Sequence, residues 1–209
     1  RGASVDILVA DVTDPDRMAT AMQEADARQP VDLVFANAGI SAGTGGDGRA
    51  EPAGQVRQVM SVNVDGVLNT VLPAVELMVP RPKGQIAIIS SLAGFRGIPG
   101  APAYCASKAA VMVYGEALRG QLHASGVAVN VINPGYVRSP MTDRNDFPMP
   151  FLMDADKAAR IIRRGLERNR PRIAFPWPMV AAVRLLQALP PSWTDPLLRR
   201  LPKKGGGVD

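Results

Sequence analysis

Short apolar runs alternate with longer helical patterns through the first 135 residues, and this alternation limits the possible folds more than any other feature. The runs that predict buried strands are Val5–Ala10, Val31–Ala36, Gln85–Ser90 and Val127–Ile132. Helical patterns separate them at about residues 14–28, 52–78 and 103–125. Asp14–Pro15 gives the first of these an N-cap and a proline at the first helical position. Arg172–Phe175 is a candidate for the last strand. Strands joined by helices need crossover connections, which predicts a doubly wound α/β fold: a parallel sheet with helices on both faces.

Each predicted strand ends in a polar or glycine-containing segment. In sheets of this type, ligands bind beyond the carboxyl ends of the strands. The segments at these ends are Asp11–Val12–Thr13, Asn37–Ala38–Gly39, Ser90–Ser91 and Asn133–Pro134–Gly135–Tyr136–Val137. We therefore expect all four to lie where a ligand would bind.

Composition excludes several classes of protein. The 209 residues are 46% hydrophobic and 21% charged, which fits one globular domain. A single Cys and a single His leave no material for a disulfide scaffold or a Cys/His metal cage. No apolar run reaches the roughly 18 residues of a spanning helix, and no signal-peptide pattern opens the sequence. We expect a globular protein of a reducing compartment, the cytoplasm.

The charge is divided unevenly along the chain. Residues 1–156 hold 12 Lys and Arg against 16 Asp and Glu, whereas residues 157–209 hold 12 against 3. We expect a domain over 1–175 and a basic, partly apolar extension over 176–209, with short helices at about 176–189 and 196–201 and a disordered end from Lys203. Residues 176–204 have the composition of a membrane-surface element, and they equally fit a helix packed on the body or on another subunit.

A glycine-rich segment, Gly43–Gly48, matches the G-x-G-x-x-G pattern of a phosphate-binding loop. Such a loop must run directly from a strand into a helix N-terminus, so that free N–H groups face the phosphates. Here a gap precedes the glycines, and residues 49–52 separate them from the next helical pattern. We predict a flexible surface loop.

Tyr104 and Lys108 are four residues apart in a helical pattern, which makes them neighbours on one helix face. An ammonium beside a phenol favours the phenolate and lowers the phenol pKa from about 10. Tyr104 could then exchange a proton with a substrate oxygen near neutral pH. Ser91 ends the preceding strand and could donate a hydrogen bond to the same oxygen.

Together, these motifs resemble the short-chain dehydrogenase/reductase family over residues 5 to about 142. The matching segments, in chain order, are Asp11–Val12–Thr13–Asp14, Asn37–Ala38–Gly39, Asn63 within Ser61–Gly66, Ile89–Gly94, Tyr104–Cys105–Ala106–Ser107–Lys108 and Asn133–Thr142. The resemblance implies a Rossmann-like fold and an NAD(P)-dependent oxidoreductase that interconverts an alcohol and a ketone or aldehyde.

The resemblance also implies roles for individual residues. Tyr104 would be the general acid/base, Lys108 would lower its pKa and hold the nicotinamide ribose, and Ser91 would polarise the substrate oxygen. Asn63 would anchor a water that links Lys108 to solvent. The expected contacts to NAD(P)H come from Asp11, Val12, Asn37, Ala38, Gly39, Tyr104, Lys108, Pro134, Gly135, Val137 and Ser139, the last in the place of a usual Thr.

One part of the family pattern has no counterpart. The glycine-rich loop of the first strand should precede Val5, so Val5–Ala10 corresponds to the third strand of the family. We expect the first two strands to be missing from this sequence, a shortened copy of an enzyme of about 250 residues. The gap between Val5–Ala10 and Val31–Ala36 predicts poor folding or an altered sheet. The choice between NAD and NADP also depends on the absent segment.

Three functions remain open from the sequence. The leading hypothesis is the oxidoreductase, self-associating through the helices at 52–78 and 103–125. The second is a non-catalytic remnant or binding protein that has lost its affinity for the cofactor. The third is a peripheral membrane module based on the basic extension. The segment from Arg144 to Met153 is apolar and fits either a lid over a lipophilic substrate or a packed surface loop.

Overall fold

The computed structural model describes residues 4–44, 50–81 and 83–201. Four parallel strands form one sheet in the order β1-β2-β3-β4. Their bounds are Leu33–Ala36 (β1), Gly84–Ile89 (β2), Val127–Pro134 (β3) and Arg172–Phe175 (β4). Three of them coincide with predicted apolar runs and β4 with the candidate last strand, and the parallel pairing confirms the α/β architecture.

Eight α-helices accompany the sheet in the described part of the chain. They are α1 (Pro15–Arg28), α2 (Ala53–Met60), α3 (Gly66–Met78), α4 (Pro102–Gln121), α5 (Pro140–Asp143), α6 (Ala155–Glu167), α7 (Trp177–Ala188) and α8 (Pro191–Leu198). Asp14 caps α1 as expected, because its carboxylate accepts a hydrogen bond from the N–H of Arg17 at 2.9 Å. The four-residue α5 was not predicted.

Alternate residues of the strands face opposite layers of helices. Ile86 and Ile88 of β2 are fully buried against apolar residues of α3 and α4. Ala87, between them, belongs instead to a cluster with residues of α6 and β4. This period of two places helices on both faces of the sheet, as its apolar strands predict.

A π-helical turn, Ser61–Asp65, lies between α2 and α3, so the single helix predicted over 52–78 is interrupted. Asn63 lies in the middle of this turn and is completely buried. A π-turn widens the helix locally, and such turns occur frequently at functional sites. The interruption therefore singles out Asn63, a polar residue with a fully buried side chain, as a candidate site residue.

The prediction of a strand at Val5–Ala10 is wrong. The segment has no ladder partner among the described residues, and Val5, Ile7 and Val9 are 78%, 85% and 87% exposed. Apolar alternation alone does not make a strand, because a strand needs a neighbour for its N–H and C=O groups. The other four strands pair consecutively without it, so the sheet is four-stranded and β1 lies at its edge.

The end of the chain differs from expectation in one detail. The second helix of the extension begins at Pro191 and ends at Leu198, rather than covering residues 196–201. The predictions for the glycine-rich loop (45–49) and for the end of the chain from Lys203 fall outside the described residues. Within the described residues, no helix is both long and apolar enough to cross a bilayer, and no three His, Cys, Asp or Glu are grouped as metal ligands.

Candidate active site

Ser91, Tyr104 and Lys108 are brought together where β2 ends beside the first turns of α4. Ser91 follows the strand and caps a short 3₁₀ turn, Leu92–Gly94, by accepting a hydrogen bond from the N–H of Ala93 at 3.1 Å. Its hydroxyl donates weakly to the carbonyl oxygen of Pro134 at 3.5 Å and is near enough to the Tyr104 phenol to lower the pKa of that phenol. From β3, the Asn133 amide donates to the carbonyl oxygen of Ser91 at 3.3 Å. Ser91 is thus held from both the sheet and the helix.

A backbone contact sets the distance between the Ser91 turn and α4. A methyl group at Gly94 would lie 2.9 Å from the carbonyl carbon and oxygen of Lys108, so only glycine permits this approach. Ser90 reinforces the contact, because its hydroxyl donates to the Lys108 carbonyl oxygen at 2.7 Å. The serine and the helix that carries Tyr104 therefore meet in a fixed arrangement.

Lys108 is buried almost completely, with 4% of its surface exposed. Its Nζ donates to the carbonyl oxygen of Ile89 at 3.0 Å and lies 5.9 Å from the centre of the Tyr104 ring. Burial lowers the pKa of Lys108 from 10.5 to about 8. The ammonium is thus poised between its charged and neutral forms at mildly alkaline pH.

The expected lowering of the Tyr104 pKa is not found. Burial of its hydroxyl raises the pKa of Tyr104 above the ordinary 10.0, and the hydrogen bond with Ser91 opposes this only in part. The physical reason is this loss of water around the hydroxyl, while the Lys108 Nζ donates to the carbonyl oxygen of Ile89. In this state, Tyr104 is a neutral phenol that can donate a proton.

Asn63 connects two sides of the site. Its amide accepts a hydrogen bond from the N–H of Ile40 at 2.8 Å and donates to the Ile40 carbonyl oxygen at 2.9 Å. It also donates to the hydroxyl of Ser107 at 3.0 Å. Ser107 in turn donates to the carbonyl oxygen of Tyr104 at 2.8 Å. The loop after β1 and the first turn of α4 are therefore joined through one buried carboxamide.

Asn37, Ala38 and Gly39 follow β1 as predicted, with Asn37 and Ala38 exposed. A methyl group at Gly39 would lie 3.2 Å from both the Lys108 Nζ and the Asn63 Oδ1. Glycine at this position therefore allows the loop after β1 to lie close to the buried Lys108 ammonium and to Asn63.

Asp11 and Val12 lie in the loop before α1. The Oδ1 of Asp11 accepts hydrogen bonds from the N–H and the hydroxyl of Thr13, which lower the pKa of the Asp11 carboxyl. The Asn69 side chain donates to the Val12 carbonyl oxygen at 2.9 Å. Gly66 allows Val12 to pack on α3, because a methyl group there would lie 2.7 Å from the Val12 Cγ2. The loop is thus attached to α3, whereas the side chains of Val5, Ile7 and Val9 just before it are exposed.

The remaining predicted residues follow β3. Gly135 donates its N–H to the carbonyl oxygen of Phe175 at 2.8 Å, immediately after Pro134. Val137 forms an isolated bridge with Met153. Ser139 is the N-cap of α5 in a capping box with Thr142. Ser139 thus has a structural role of its own as a helix cap.

Tyr136 is a site residue that the motifs did not single out. It is half-buried close enough to Tyr104 for the two phenols to interact electrostatically, and burial raises the pKa of Tyr136 itself. Its ring meets Phe147 edge to face, with 6.2 Å between ring centres. The only sequence signal was its place after Pro134–Gly135 at a strand end. Phe147 lies in the segment from Arg144 to Met153, which was expected to be a lid or a packed loop.

A cavity of about 570 Å³ lies beside these residues rather than among them. Residues 93–99 form one wall, and α4, α7 and α8 contribute the rest. Cys105 and Ala106, next to Tyr104 in the sequence, line it, but Ser91 and Tyr104 do not. The cavity is therefore adjacent to the reactive groups and separate from them.

Comparison with known proteins places these features in a family. A family model described as short chain dehydrogenase matches residues 1–147. An uncharacterized oxidoreductase of Myxococcus xanthus is 38% identical over 201 residues, covering 96% of this chain and 79% of the relative. An uncharacterized oxidoreductase of Mycobacterium tuberculosis is 33% identical over 190 residues, covering 88% and 73%.

Solved structures show the same fold. A gluconate 5-dehydrogenase from Burkholderia cenocepacia, in complex with NADP and tartrate, is 28% identical with a TM-score of 0.60, over 64% of this chain and 52% of that one. A short-chain dehydrogenase from Sphingobium yanoikuyae, in complex with NADPH, has a TM-score of 0.76 over 99% and 80%. At 21% identity, the second likeness concerns the fold alone.

Proposed function

Because this chain belongs to the short-chain dehydrogenase family, we propose that it is an NAD(P)-dependent oxidoreductase that interconverts an alcohol and a ketone or aldehyde. The observation that carries the proposal is the meeting of three side chains at the end of β2. A serine there lies beside a half-buried tyrosine whose pKa is raised, and that tyrosine is one helical turn from a buried lysine. A phenol held in this way is suited to give a proton to a carbonyl oxygen.

Each of the three residues has a distinct task in this proposal. Ser91 orients the substrate oxygen by hydrogen bonding, and Tyr104 donates the proton in reduction or accepts it in oxidation. Lys108, with its pKa of about 8, stabilises the phenolate that Tyr104 leaves after donation. The hydrogen-bonded connection from Asn63 through Ser107 keeps the helix that carries Tyr104 in place. Tyr136 would face the substrate beside Tyr104.

The residues around Lys108 fit a nicotinamide cofactor. Lys108 uses one N–H group on Ile89 and has others that it can offer to sugar hydroxyls, and Gly39 places no side chain against its Nζ. We propose that Asn37, Ala38, Gly39 and Lys108 contact the ribose side and that Asp11 and Val12 contact the adenine side. Pro134, Gly135, Val137 and Ser139 are the proposed contacts at the nicotinamide. When bound, the cofactor supplies or accepts the hydride.

The cofactor form, assembly and location are part of the same proposal. Two structural neighbours are described with NADP or NADPH, so the phosphorylated form is the first to test here, with NADH in parallel. Self-association through α3 and α4 is supported by Leu72 and Val113, which are exposed apolar residues on these helices. A cytoplasmic location remains our proposal.

The test is a pair of substitutions on one helix. The protein is incubated with NADPH or NADH and a panel of aldehydes and ketones, and the absorbance of the reduced nicotinamide is followed. Tyr104→Phe removes one hydroxyl and should lower turnover by about 10² to 10⁴-fold, the range of acid–base catalysis. Tyr114→Phe removes the same group farther along α4 and should leave turnover unchanged.

Three results would decide against the proposal. Equal turnover by Tyr104→Phe and the unmodified protein would overturn the proton-transfer role. Equal losses in both variants would indicate a general effect on α4. Failure to bind either nicotinamide, measured by fluorescence of the reduced form, would favour the non-catalytic alternative instead.

A further inference from the structure

The outward faces of α7 and α8 carry the same pattern of residues. Each set begins with a Trp, and a second apolar residue follows four residues later, an Arg seven residues later and a Leu eight residues later. The two sets are Trp177, Ala181, Arg184 and Leu185 on α7, and Trp193, Leu197, Arg200 and Leu201 on α8 and the turn that continues it. Spacings of four, seven and eight place each set on one helix face. We call these eight residues the Trp–Leu–Arg face.

These side chains are strongly exposed. Trp177 and Trp193 are 79% and 72% exposed, and Leu185, Leu197 and Leu201 are 63%, 57% and 41% exposed. Single exposed apolar residues are ordinary, but two tryptophans and three leucines on consecutive helices form an uncommon concentration. The face therefore has a composition that favours contact with something other than water.

The exposure does not result from loose packing of the two helices. On its other side, α7 places Met179, Val180 and Val183 in the cluster that contains Leu92 and Phe95. On α8, Thr194 and Leu198 are buried, and the Thr194 hydroxyl accepts a hydrogen bond from Arg96 at 2.7 Å. Both helices thus pack on the rest of the chain through an inner side, which is partly buried in α7 and includes two buried residues in α8.

The charges around the face indicate the partner. Arg184, Arg199 and Arg200 are exposed, and the sequence continues with Lys203 and Lys204. The single acidic residue between 177 and 204 is Asp195, which pairs inward with Arg96 at 3.6 Å. Trp and Leu enter the interfacial layer of a bilayer, and Arg and Lys pair with anionic headgroups. A second copy presenting this same face would set like charges against each other.

We propose that the Trp–Leu–Arg face docks on a bilayer surface that carries anionic lipids. The chain lies on such a surface without crossing it, with both tryptophans at the level of the headgroups. The proposal is independent of the oxidoreductase activity, because none of its residues belongs to the proposed catalytic or cofactor contacts.

The chain provides its own reporter, since Trp177 and Trp193 are its only tryptophans. Vesicles of phosphatidylcholine with about 30% phosphatidylserine should shift tryptophan emission to shorter wavelength, and the protein should sediment with them. Vesicles of phosphatidylcholine alone should give a much weaker response. Raising the salt from about 0.1 M to about 0.5 M should release the protein, because exposed charges are then screened. Trp193→Phe and Trp177→Phe leave one reporter each and test the two helices separately.

Substitutions test the two components of the face. Trp177→Ser with Trp193→Ser should weaken sedimentation at least about tenfold. Arg184→Gln, Arg199→Gln and Arg200→Gln together should weaken it on the order of 100-fold. Ile7→Ser with Val9→Ser removes equally exposed apolar side chains elsewhere and should change nothing. Unchanged emission with anionic vesicles would overturn the proposal. It would also be overturned by equal binding to neutral vesicles, or by a shift that depends on protein concentration alone, which indicates a second copy.

Discussion

Lys108 donates a hydrogen bond from its Nζ to the carbonyl oxygen of Ile89 over 3.0 Å, and this bond joins α4 to the last residue of β2. The ammonium is therefore held by the sheet while the Tyr104 ring lies 5.9 Å away. A buried cation with a neutral hydrogen-bond partner is costly, because desolvation disfavours the charged form. The energetic consequence is measurable without any substrate.

Lys108→Met should be more stable than the unmodified protein at pH 7. This difference in stability should be smaller at pH 9.5. The pKa of Lys108 is about 8 in the folded protein against an ordinary 10.5, so the unfolded chain binds more protons between these values. The stability of the unmodified protein therefore rises with pH in this window, and the cost of burial is fully present below it. We expect an advantage of about 2 kcal/mol for the variant at pH 7, decreasing toward pH 9.5. Urea unfolding at both values measures it.

The matched control for this prediction is Lys83→Met, which removes an exposed lysine. Its effect on unfolding should be small and nearly the same at the two pH values. If the advantage of Lys108→Met instead grows with pH, the lysine is charged and favourably paired in the folded state.

Gly39→Ala should reduce cofactor binding and turnover more than it reduces stability. The new methyl group would lie 3.2 Å from the Lys108 Nζ and the Asn63 Oδ1. Asn63 cannot yield easily because three hydrogen bonds hold it, whereas the flexible end of Lys108 can move. We expect turnover to fall by about tenfold or more, since small misplacements are costly in catalysis. Steady-state kinetics with both nicotinamides test this.

Gly54→Ala is the control for Gly39→Ala, because a methyl group there meets nothing within 4 Å. It should leave turnover nearly unchanged and should keep or slightly raise stability, because Ala favours a helix over Gly by up to about 1 kcal/mol. A loss of stability above about 2 kcal/mol in Gly39→Ala would show that Asn63, and not Lys108, is displaced.

Asn63→Ala should destabilise the protein by about 2 to 4 kcal/mol in urea unfolding. It removes three hydrogen bonds and leaves the N–H and carbonyl groups of Ile40 unpaired. Asn69→Ala loses one bond, to the Val12 carbonyl oxygen, and should cost about 1 kcal/mol. Equal losses in the two variants would show that the Ile40 groups find other partners.

Gly94→Ala should lower both stability and turnover. The methyl group would lie 2.9 Å from backbone atoms of Lys108, which cannot move without shifting α4. We expect a loss of about 1 to 3 kcal/mol from overpacking, together with displacement of Ser91 from Tyr104. Gly97→Ala, in the same loop but with nothing within 4 Å, should be neutral. Normal stability and turnover in Gly94→Ala would mean that the turn can relax away from the helix.

Local patterns in the sequence were sufficient to predict β1 to β4 and most of the helices. Their strands are continuous apolar runs that end in turn residues, and Asp14–Pro15 gives a helix start directly. Val5–Ala10 has the same local pattern but forms no strand, because pairing depends on a neighbour distant in sequence. The π-turn at Ser61–Asp65 has no local pattern either, since its reason is the burial of Asn63 against Ile40.

The proximity of the candidate site residues was predictable, whereas their electrostatics were not. Spacing placed Tyr104 and Lys108 on one helix face, and strand ends placed Ser91 beside them. The pKa directions depend on which atoms each group contacts and on how much water it loses. The spacing of residues in the sequence gives neither. Tyr136 was missed as a neighbour of Tyr104 for the same reason, because the bend after β3 brings the two phenols together.

Asn63 pairs with both backbone groups of Ile40, as the residue of an adjacent strand would do. The loop after β1 is consequently fastened to a helix and not to the sheet, and its opening requires the π-turn or the Ser107 region of α4 to open as well. Amide hydrogen exchange measures this coupled opening. The Ile40 N–H should exchange as slowly as the amides of α4, although it lies in an irregular loop. The loop after β1 should thus resist local opening as strongly as a regular helix, and a single side chain is responsible.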